Sequence, residues 1–237
     1  MSTILILGAT GTTGQQVLQR LADIPDIRLR AATRHPEANH KVNAAEYVKF
    51  DYTEKATIEK AIKGVQKVFL VTPFVPELFE YEKAVIDAVK DASVEHIVKV
   101  SVTGAEDRHG TAIGKIHGNL ESLISETGIP YTFLRPFSFM QNFSNHASYT
   151  IRSQNAFYQP AGDGKINSID TRDIAAVAAK ALTENGHEGK AYTLTGPEPL
   201  SNARVAEILS SVTGREIKYI DIPEDQARRA MREAGMP

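Results

Sequence analysis

Three glycines near the amino end, Gly8, Gly11 and Gly14, have the spacing of a turn that binds a pyrophosphate. A short apolar run, residues 3–7, precedes them and predicts a buried strand, and apolar residues at helical spacing follow. A phosphate can approach the backbone only where no Cβ blocks it, and the start of a helix offers it N–H groups. The pattern therefore predicts dinucleotide binding, and a glycine-rich turn without a ligand is the alternative.

The three glycines have different predicted tasks. Gly8 makes the tight turn, Gly11 lets the phosphate approach, and Gly14 lets the helix pack close to the strand. Thr12 or Thr13 is the predicted N-cap of the helix, because a hydroxyl can accept a hydrogen bond from a first-turn amide.

The residue after the second predicted strand, Ile27–Thr33, distinguishes the two nicotinamide nucleotides. An acid at this place binds the free 2′-hydroxyl of NAD, but this chain has Arg34. A guanidinium suits a 2′-phosphate and offers nothing comparable to a ribose diol. The sequence therefore predicts NADP(H) as the cofactor, and a solvated surface arginine is the alternative.

Composition narrows the class of protein. The 237 residues are 42 % hydrophobic and 24 % charged, as in an ordinary globular protein with a sizeable core. The formal charge of −2 and the lack of a dense Lys/Arg block argue against nucleic acid or an anionic membrane as a partner. With no cysteine, the chain has no disulfide, thiolate metal site or thiol nucleophile, and its histidines lack ligand spacing, so we predict no metal.

Targeting signals are also missing from the sequence. The amino end enters the first strand without a leader, and no apolar run approaches the ~18 residues that span a bilayer. We therefore expect a cytoplasmic protein without a membrane partner.

Strands and helices alternate along the first part of the chain. Strands are predicted at residues 27–33, 47–50, 68–71, 96–101 and 131–134, with helices between them. This alternation predicts a doubly wound α/β fold with a parallel sheet. The regular alternation of strands and helices changes after Pro136. We therefore assign residues 1–136 to a dinucleotide-binding domain and residues 137–237 to a smaller α/β lobe that shapes the substrate site.

Candidate ligand-binding residues follow the predicted strands, because ligands bind outside the carboxyl ends of an open parallel sheet. Asp51 follows the third strand and is a candidate acceptor for the adenine amino group, with a turn or capping role equally open. The loop from Thr72 to Pro76 follows the fourth strand and is expected to line the nicotinamide side. Ser101 ends the fifth strand.

Several motifs together resemble the NmrA-like branch of the atypical short-chain dehydrogenase/reductases, which includes NADPH-dependent quinone and triphenylmethane reductases. They are residues 8–14 with Arg34, Thr72-Pro73, Val100-Ser101, Thr-Phe-Leu-Arg-Pro at 132–136, Phe-Met-Gln-Asn at 139–142 and Ala-Gly-Asp-Gly-Lys at 161–165. The resemblance covers essentially the whole chain. It implies a Rossmann-like domain, a small C-terminal domain and NADP(H) in the cleft between them.

The resemblance also implies a role for individual positions. The pyrophosphate would contact Gly8, Ala9, Thr10, Gly11, Thr12 and Thr13, the 2′-phosphate Arg34, the adenine Asp51 and Tyr52, and the nicotinamide Thr72, Pro73, Phe74, Phe137, Ser138, Phe139 and Asn142. Members of the branch usually continue some tens of residues further, so part of the substrate lid is expected to lie beyond Pro237.

One departure from the wider superfamily concerns catalysis. Its active members use Tyr-x-x-x-Lys for proton transfer, but none of the eight tyrosines here precedes a lysine by four residues, and Ile113 and His117 occupy the expected positions. Ser101 alone cannot replace that pair. Reduction of a quinone-like or other electrophilic aromatic acceptor is less demanding, because it needs mainly a held nicotinamide and a flat pocket.

Aromatic residues and a methionine are the candidates for that flat pocket. Phe74, Phe139 and Met140, with Phe137 beside them, are the predicted substrate contacts, although for any single one a core position is the more common role. His117 and Ser101 are assigned to the cofactor site.

We assign His117 as a nicotinamide-side contact and candidate general acid, with a structural histidine as the alternative. The resulting prediction is an NADPH-dependent oxidoreductase, a monomer or homodimer acting on a small molecule. A non-catalytic NADP-sensing regulatory protein is the rival, and nucleotide-sugar chemistry is disfavoured by the missing proton-transfer pair.

Overall fold

The computed structural model describes residues 1–38, 42–107 and 109–233. Its strands are β1 (Ser2–Ile6), β2 (Ile27–Thr33), β3 (Ala45–Lys49), β4 (Lys67–Leu70), β5 (His96–Val100), β6 (Tyr131–Pro136), β7 (Ala156–Gln159), β8 (Lys165–Ile166), β9 (Lys190–Leu194), β10 (Leu200–Ser201) and β11 (Lys218–Asp221). Its helices are α1 (Thr12–Leu21), α2 (Lys55–Ile62), α3 (Leu78–Lys90), α4 (Ala112–Glu126), α5 (Asn142–Asn145), α6 (Ser148–Gln154), α7 (Thr171–Thr183), α8 (Asn202–Thr213) and α9 (Glu224–Glu233). Pro237, where the sequence suggested a missing lid, lies outside the described residues.

A seven-stranded sheet in the order β3-β2-β1-β4-β5-β6-β9 forms the centre of the first of two compact units. Every neighbouring pair of strands is parallel. Helix α1 packs against α7, while α3 packs between α2 and α4. The predicted doubly wound, Rossmann-like α/β fold is confirmed.

The central strands are buried because helices cover both faces of the sheet. Residues Ile4, Leu5, Ile6 and Leu7 are fully buried, as the sequence pattern predicted for the first strand. The fourth strand, β4, is equally covered, with Val68, Phe69 and Leu70 at most 1 % exposed.

The first unit consists of residues 1–136 together with 171–194. Strand β9 belongs to it because this strand extends the sheet, pairing residue by residue with β6 from Thr132↔Lys190 to Pro136↔Leu194. Helix α7 belongs to it because its apolar side chains are buried there. The sequence analysis assigned residues 171–194 to the smaller lobe. The pairing of β9 with β6 joins residues far apart in the chain, and such pairing cannot be recognised from the local sequence pattern.

The second unit contains residues 137–170 and the chain from Thr195 onward. Its small core is formed by Ile151, Phe157, Ala206 and Ile217. Strand β11 pairs parallel with β7, and β10 pairs antiparallel with β8. Helices α5 and α6 and strands β7, β8 and β10 are too short to have given a periodic signal in the sequence.

A carboxylate anchors the glycine-containing turn of this second unit. The backbone N–H groups of Ala161 and Gly162 donate to Asp221 Oδ1 at 3.1 and 2.9 Å, and the Tyr219 hydroxyl donates to the same oxygen at 2.8 Å. The bond from Gly162, followed by that from Tyr219, lowers the pKa of Asp221 below its ordinary value. The turn at 161–164 is therefore tied to the end of β11.

Candidate active site

The glycine turn has the geometry that the sequence predicts for it. Gly8 has φ +60°, a backbone conformation that favours glycine. A Cβ on Gly14 would lie 2.2 Å from the carbonyl oxygen of Gly8, so helix α1 can approach the turn this closely only with glycine at that position. The Gly11 N–H donates to the same carbonyl at 2.9 Å.

Helix α1 begins differently from the prediction. Its N-cap is Gly11, which makes no side-chain capping bond, so neither Thr12 nor Thr13 is the cap. The first turn of the helix also contains no acidic residue. The positive end of the helix therefore meets the cavity without a carboxylate of its own first turn to oppose an anion.

A cavity of about 670 Å³ lies at the carboxyl ends of β1, β2, β3 and β4. It brings together ten of the predicted cofactor residues, namely Gly8, Thr10, Gly11, Thr12, Thr13, Arg34, Asp51, Tyr52, Thr72 and Pro73. Gly14, Ala32, Thr33, Phe50, Thr53, Val71, Val75 and Tyr81 complete its lining. Backbone and side chains from four strand ends thus converge on one space.

Two predicted residues of this region lie outside the cavity lining. Ala9 is 2 % exposed and packs inside the turn, and Phe74 is 58 % exposed. Their roles toward a ligand remain predictions.

Cationic side chains stand at the ends of β2 and β3, and Arg34 occupies the position after β2 where an acid would select NAD. Arg34 is exposed and forms no ion pair with any residue that the structure describes. Lys49 donates from Nζ to the backbone oxygen of Arg34 at 3.4 Å. The acid next along the chain, Glu37, instead pairs with His35 at 3.4 Å. The rim therefore presents positive charge, which fits a phosphate better than a sugar hydroxyl.

Asp51 is engaged in a local turn. Its Oδ1 accepts hydrogen bonds from the backbone N–H and the hydroxyl of Thr53, at 2.9 and 2.7 Å. These two bonds lower the pKa of the Asp51 carboxyl, and the more distant charges of Lys49 and Arg34 act in the same direction. The turn role is thus observed, while the contact with adenine remains a prediction.

Tyr52 forms one wall of the cavity. Its hydroxyl donates to the backbone oxygen of Val71 at 3.1 Å, and its ring stacks on Tyr81 with centroids 5.1 Å apart. Burial raises the pKa of the Tyr52 hydroxyl well above its ordinary value, so the hydroxyl stays neutral. Sequence reasoning missed Tyr81, because nothing in the local sequence of helix α3 indicates that this side chain stacks on Tyr52 at the cavity.

Ser101 is held by a carboxylate at the end of β5. Its hydroxyl donates to Glu121 Oε1 at 2.5 Å. Arg135 donates to both oxygens of the same carboxylate, at 3.0 and 2.6 Å, and also pairs with Glu106 at 3.0 Å. The bonds to Glu121 raise the pKa of Arg135. Ser101 is 5 % exposed and does not line the cavity, so its hydroxyl serves the contact between β5 and α4.

His117 is also part of a buried polar cluster. Its Nδ1 lies 3.2 Å from Lys99 Nζ, and Lys99 forms an ion pair with Glu82 on helix α3. Lys99 and Glu82 are fully buried and His117 is 8 % exposed. Because an ammonium can only donate, Nδ1 accepts and the ring proton lies on Nε2. We use the name buried network for two neighbouring groups of the chain, namely Glu82 with Lys99 and His117, and Ser101 with Glu121 and the partly exposed Arg135.

Burial, and secondarily the charge of Lys99, lowers the pKa of His117 to about 3. The imidazole is therefore neutral at neutral pH, and an imidazolium that could donate a proton is scarcely populated. This geometry favours the structural histidine over the general acid.

The predicted substrate residues of the second unit lie on one short segment. Phe139 bridges to Ile169, the Met140 N–H donates to the Ile169 oxygen at 2.9 Å, and the Ile169 N–H donates to the Ser138 oxygen at 2.9 Å. Asn142 Nδ2 donates to Ser138 Oγ at 3.4 Å. Phe137 and Met140 are exposed on this segment, so both are available for contact with a ligand.

Among residues 1–38, 42–107 and 109–233, no cluster of three or more His, Cys, Asp or Glu could hold a metal ion. Across the same residues, no helix has both the length and the apolar character needed to cross a membrane.

A glycine-lined turn between a parallel strand and a helix, facing a cavity at the strand ends, defines a nucleotide-binding protein of the Rossmann type. The model of the NmrA-like family matches residues 1–236, and the chain belongs to that family. The family prediction from sequence is confirmed.

Relatives with named activities match over nearly the whole chain. The NAD(P)H azoreductase of Xenophilus azovorans is 41 % identical over 236 residues, covering 99 % of this chain and 82 % of the relative. The crystal structure of Citrobacter sp. triphenylmethane reductase complexed with NADP(H) is similar with a TM-score of 0.85 and 31 % identity, covering 100 % of this chain and 85 % of that one. The NADPH-dependent quinone oxidoreductase QOR2 of Escherichia coli, complexed with NADPH, has a TM-score of 0.84 and 30 % identity, covering 100 % of this chain and 84 % of that one.

Proposed function

We propose that this protein is an NADPH-dependent oxidoreductase that passes hydride to a quinone-like or other electrophilic aromatic acceptor. The observation that carries the proposal is the cavity in which the glycine turn and Arg34 face one space at the strand ends. Relatives that are named as NAD(P)H-dependent or solved with NADP(H) support the same cofactor and class of enzyme.

The residues of the cavity fit such a cofactor in two separate ways. A Cβ at Gly8 would lie 2.8 Å from Val71 Cγ1, and one at Gly14 would collide with the Gly8 carbonyl, so the turn offers bare backbone at the start of α1. Arg34, which has no acidic partner in the described chain, would contact the 2′-phosphate. Tyr52 and Asp51 would flank the adenine, as predicted.

Fewer residues of the cavity are available to contact the nicotinamide, which is the reacting end of the cofactor. Thr72 and Pro73 line the cavity and would lie toward the nicotinamide. The contacts predicted for Phe74, Ser138, Phe139, Met140 and Asn142 remain part of the proposal.

The acceptor class follows from the state of the candidate acids and bases. NADPH, when bound, supplies the hydride. The Ser101 hydroxyl donates a hydrogen bond to Glu121, and His117 is neutral and buried against Lys99. Neither group is placed to deliver a proton, so an acceptor that is already electrophilic, such as a quinone or a cationic or azo dye, suits the site better than a simple ketone or alcohol.

The proposal predicts that Arg34→Ala weakens NADPH binding by roughly 30-fold, about 2 kcal/mol, while the affinity for NADH stays within a factor of two or three. Equilibrium titration of nucleotide fluorescence measures both. Arg28→Ala removes an exposed arginine on β2, the strand that Arg34 follows, and is the matched control. Equal weakening of NADH by Arg34→Ala would contradict the assignment of the 2′-phosphate.

A second assay separates the enzyme from its rival, the NADP-sensing regulatory protein. NADPH absorbance is expected to fall when simple quinones are added to the wild-type protein. If NADPH binds but is not consumed across a broad panel of quinones and dyes, the regulatory function replaces the enzymatic one.

A further inference from the structure

The loop between α7 and β9 contains the one Asn-Gly pair of the sequence, Asn185-Gly186. Both residues are exposed. Helix α7 ends at Thr183 and β9 begins at Lys190, so the pair lies outside regular secondary structure. The side-chain amide of Asn185 makes no hydrogen bond with any residue that the structure describes. The pair is therefore open to a reaction that the fixed backbone of a helix or a strand prevents.

An Asn-Gly pair in such a loop can close into a ring. The backbone nitrogen of the glycine attacks Cγ of the asparagine, and the new N–C bond closes a succinimide. The Cγ–Nδ2 bond breaks, and ammonia leaves with the proton of the glycine N–H. Water then opens the ring to give aspartate, or isoaspartate where the chain now passes through Cγ. Glycine favours the attack because it has no Cβ to crowd the nitrogen.

Glu188 holds the attacking nitrogen in its unreactive form. The Gly186 N–H donates to Glu188 Oε2 at 2.9 Å. The nitrogen must lose this proton in order to attack, and a carboxylate that accepts the N–H stabilises the protonated amide and repels the anion. Hydrogen bonds from the backbone N–H groups of Glu188 itself and of Gly186 lower the pKa of Glu188, so the carboxylate is ionised at neutral pH.

We propose that Asn185 is a site of spontaneous deamidation and that Glu188 sets its rate by protecting the Gly186 nitrogen. The reaction adds a negative charge to the loop and, in the isoaspartate form, one more backbone atom. That atom enters the chain just before two fixed points, since the Thr132 hydroxyl donates to the His187 oxygen at 2.7 Å and the Gly189 N–H donates to the backbone oxygen of β6 at 2.7 Å.

Peptide mass spectrometry of the full chain after incubation at neutral pH tests the site. Asn185 is expected to convert at least about tenfold faster than Asn119, an exposed asparagine on α4 that precedes the bulky Leu120. Aspartate and isoaspartate peptides have the same mass and are separated by their retention times. Asn185→Gln is the control, because the larger ring that glutamine would need forms far more slowly, so this variant is expected to stay unmodified at position 185.

A second variant tests the protection. Glu188→Ala removes the acceptor of the Gly186 N–H at an exposed position and is expected to speed the conversion of Asn185 by about fivefold. Glu184→Ala is the matched control, because this exposed acid precedes Asn185 but pairs with Lys180. Circular dichroism checks that both variants keep the fold. Conversion of Asn185 no faster than that of Asn119 overturns the site, and an unchanged or slower conversion in Glu188→Ala overturns the protection.

Discussion

The nucleotide cavity and the buried network place their polar groups in opposite ways. At the cavity, backbone amides, Arg34 and Asp51 face open space at the strand ends. In the buried network, Lys99 and His117 satisfy one another together with Glu82, and Ser101 is held by Glu121. The comparison teaches that the titratable groups closest to the superfamily's catalytic positions are paired inside the fold here, while the groups that we propose for ligand binding are backbone amides and one guanidinium.

The largest expected effect belongs to the cavity. In Gly14→Ala the new Cβ meets a backbone oxygen, so no rotation of a side chain can relieve the contact and helix α1 must move. We expect NADPH binding to fall at least about 100-fold and the free energy of unfolding to fall by about 5 kcal/mol.

Nucleotide titration and urea denaturation measure the two effects of Gly14→Ala. Gly64→Asn is the control, because Gly64 has open space around it, and asparagine tolerates its positive φ. Unchanged NADPH affinity in a folded Gly14→Ala protein would refute the assigned turn.

The second largest effect is expected from a change in the buried network, which should lower stability without changing NADPH binding at the cavity. Lys99→Met removes the partner of the buried Glu82 carboxylate, whose Oε1 already lacks a hydrogen bond within the described structure. Leaving a buried charge unpaired costs about 3 to 5 kcal/mol, so the free energy of unfolding should fall by that amount.

The double variant Lys99→Met/Glu82→Leu removes the stranded charge and is expected to recover most of the loss. Both variants are measured by urea denaturation. If Lys99→Met abolishes NADPH binding in a protein that is still folded, the separation between the two regions does not hold.

The smallest expected effect is a dependence of stability on pH. The pKa of His117 is about 3 in the folded protein and about 6.5 in an unfolded chain. Because the folded pKa is the lower one, the stability is complete above pH 6.5 and is lost as the pH falls toward 3. At pH 5 the expected loss is about 2 kcal/mol.

His117→Gln keeps an acceptor for Lys99 but cannot titrate, so its free energy of unfolding should change less between pH 7.5 and pH 5. Denaturant titrations at the two pH values measure the difference. Burial also lowers the pKa of His96, but His96 is present in both proteins, so its contribution to the pH dependence cancels in the comparison. An unchanged pH dependence in the variant would show that the pKa of His117 is the same in the folded and the unfolded chain.

Local patterns were enough to predict most of the first unit. The bounds of β2 were predicted to the residue, and the other sheet strands up to β6 to within two residues, because a covered parallel strand is apolar along its length. That the glycine turn and Arg34 line one cavity was predictable for a related reason, since both were located from local spacing, and their contacts with phosphate remain predictions.

Long-range partners could not be predicted in the same way. Tyr81 reaches the cavity from helix α3, and Lys99 looks like a polar interruption of an apolar strand until Glu82 and His117 are seen beside it. His117 was given a catalytic role because its position matches that of a functional residue in relatives. Its burial, which changes its chemistry, depends on how α4 packs against β5.

The interleaving of the two units has a consequence for anyone who divides this chain. Neither unit is a continuous stretch, because the last strand of the large sheet is made only after the first 34 residues of the other unit. A fragment that stops at Pro136 would leave β6 as a bare edge and uncover the side of α1 that α7 shields. Such a fragment should aggregate during expression, and a ribosome must release residue 194 before the larger unit can close.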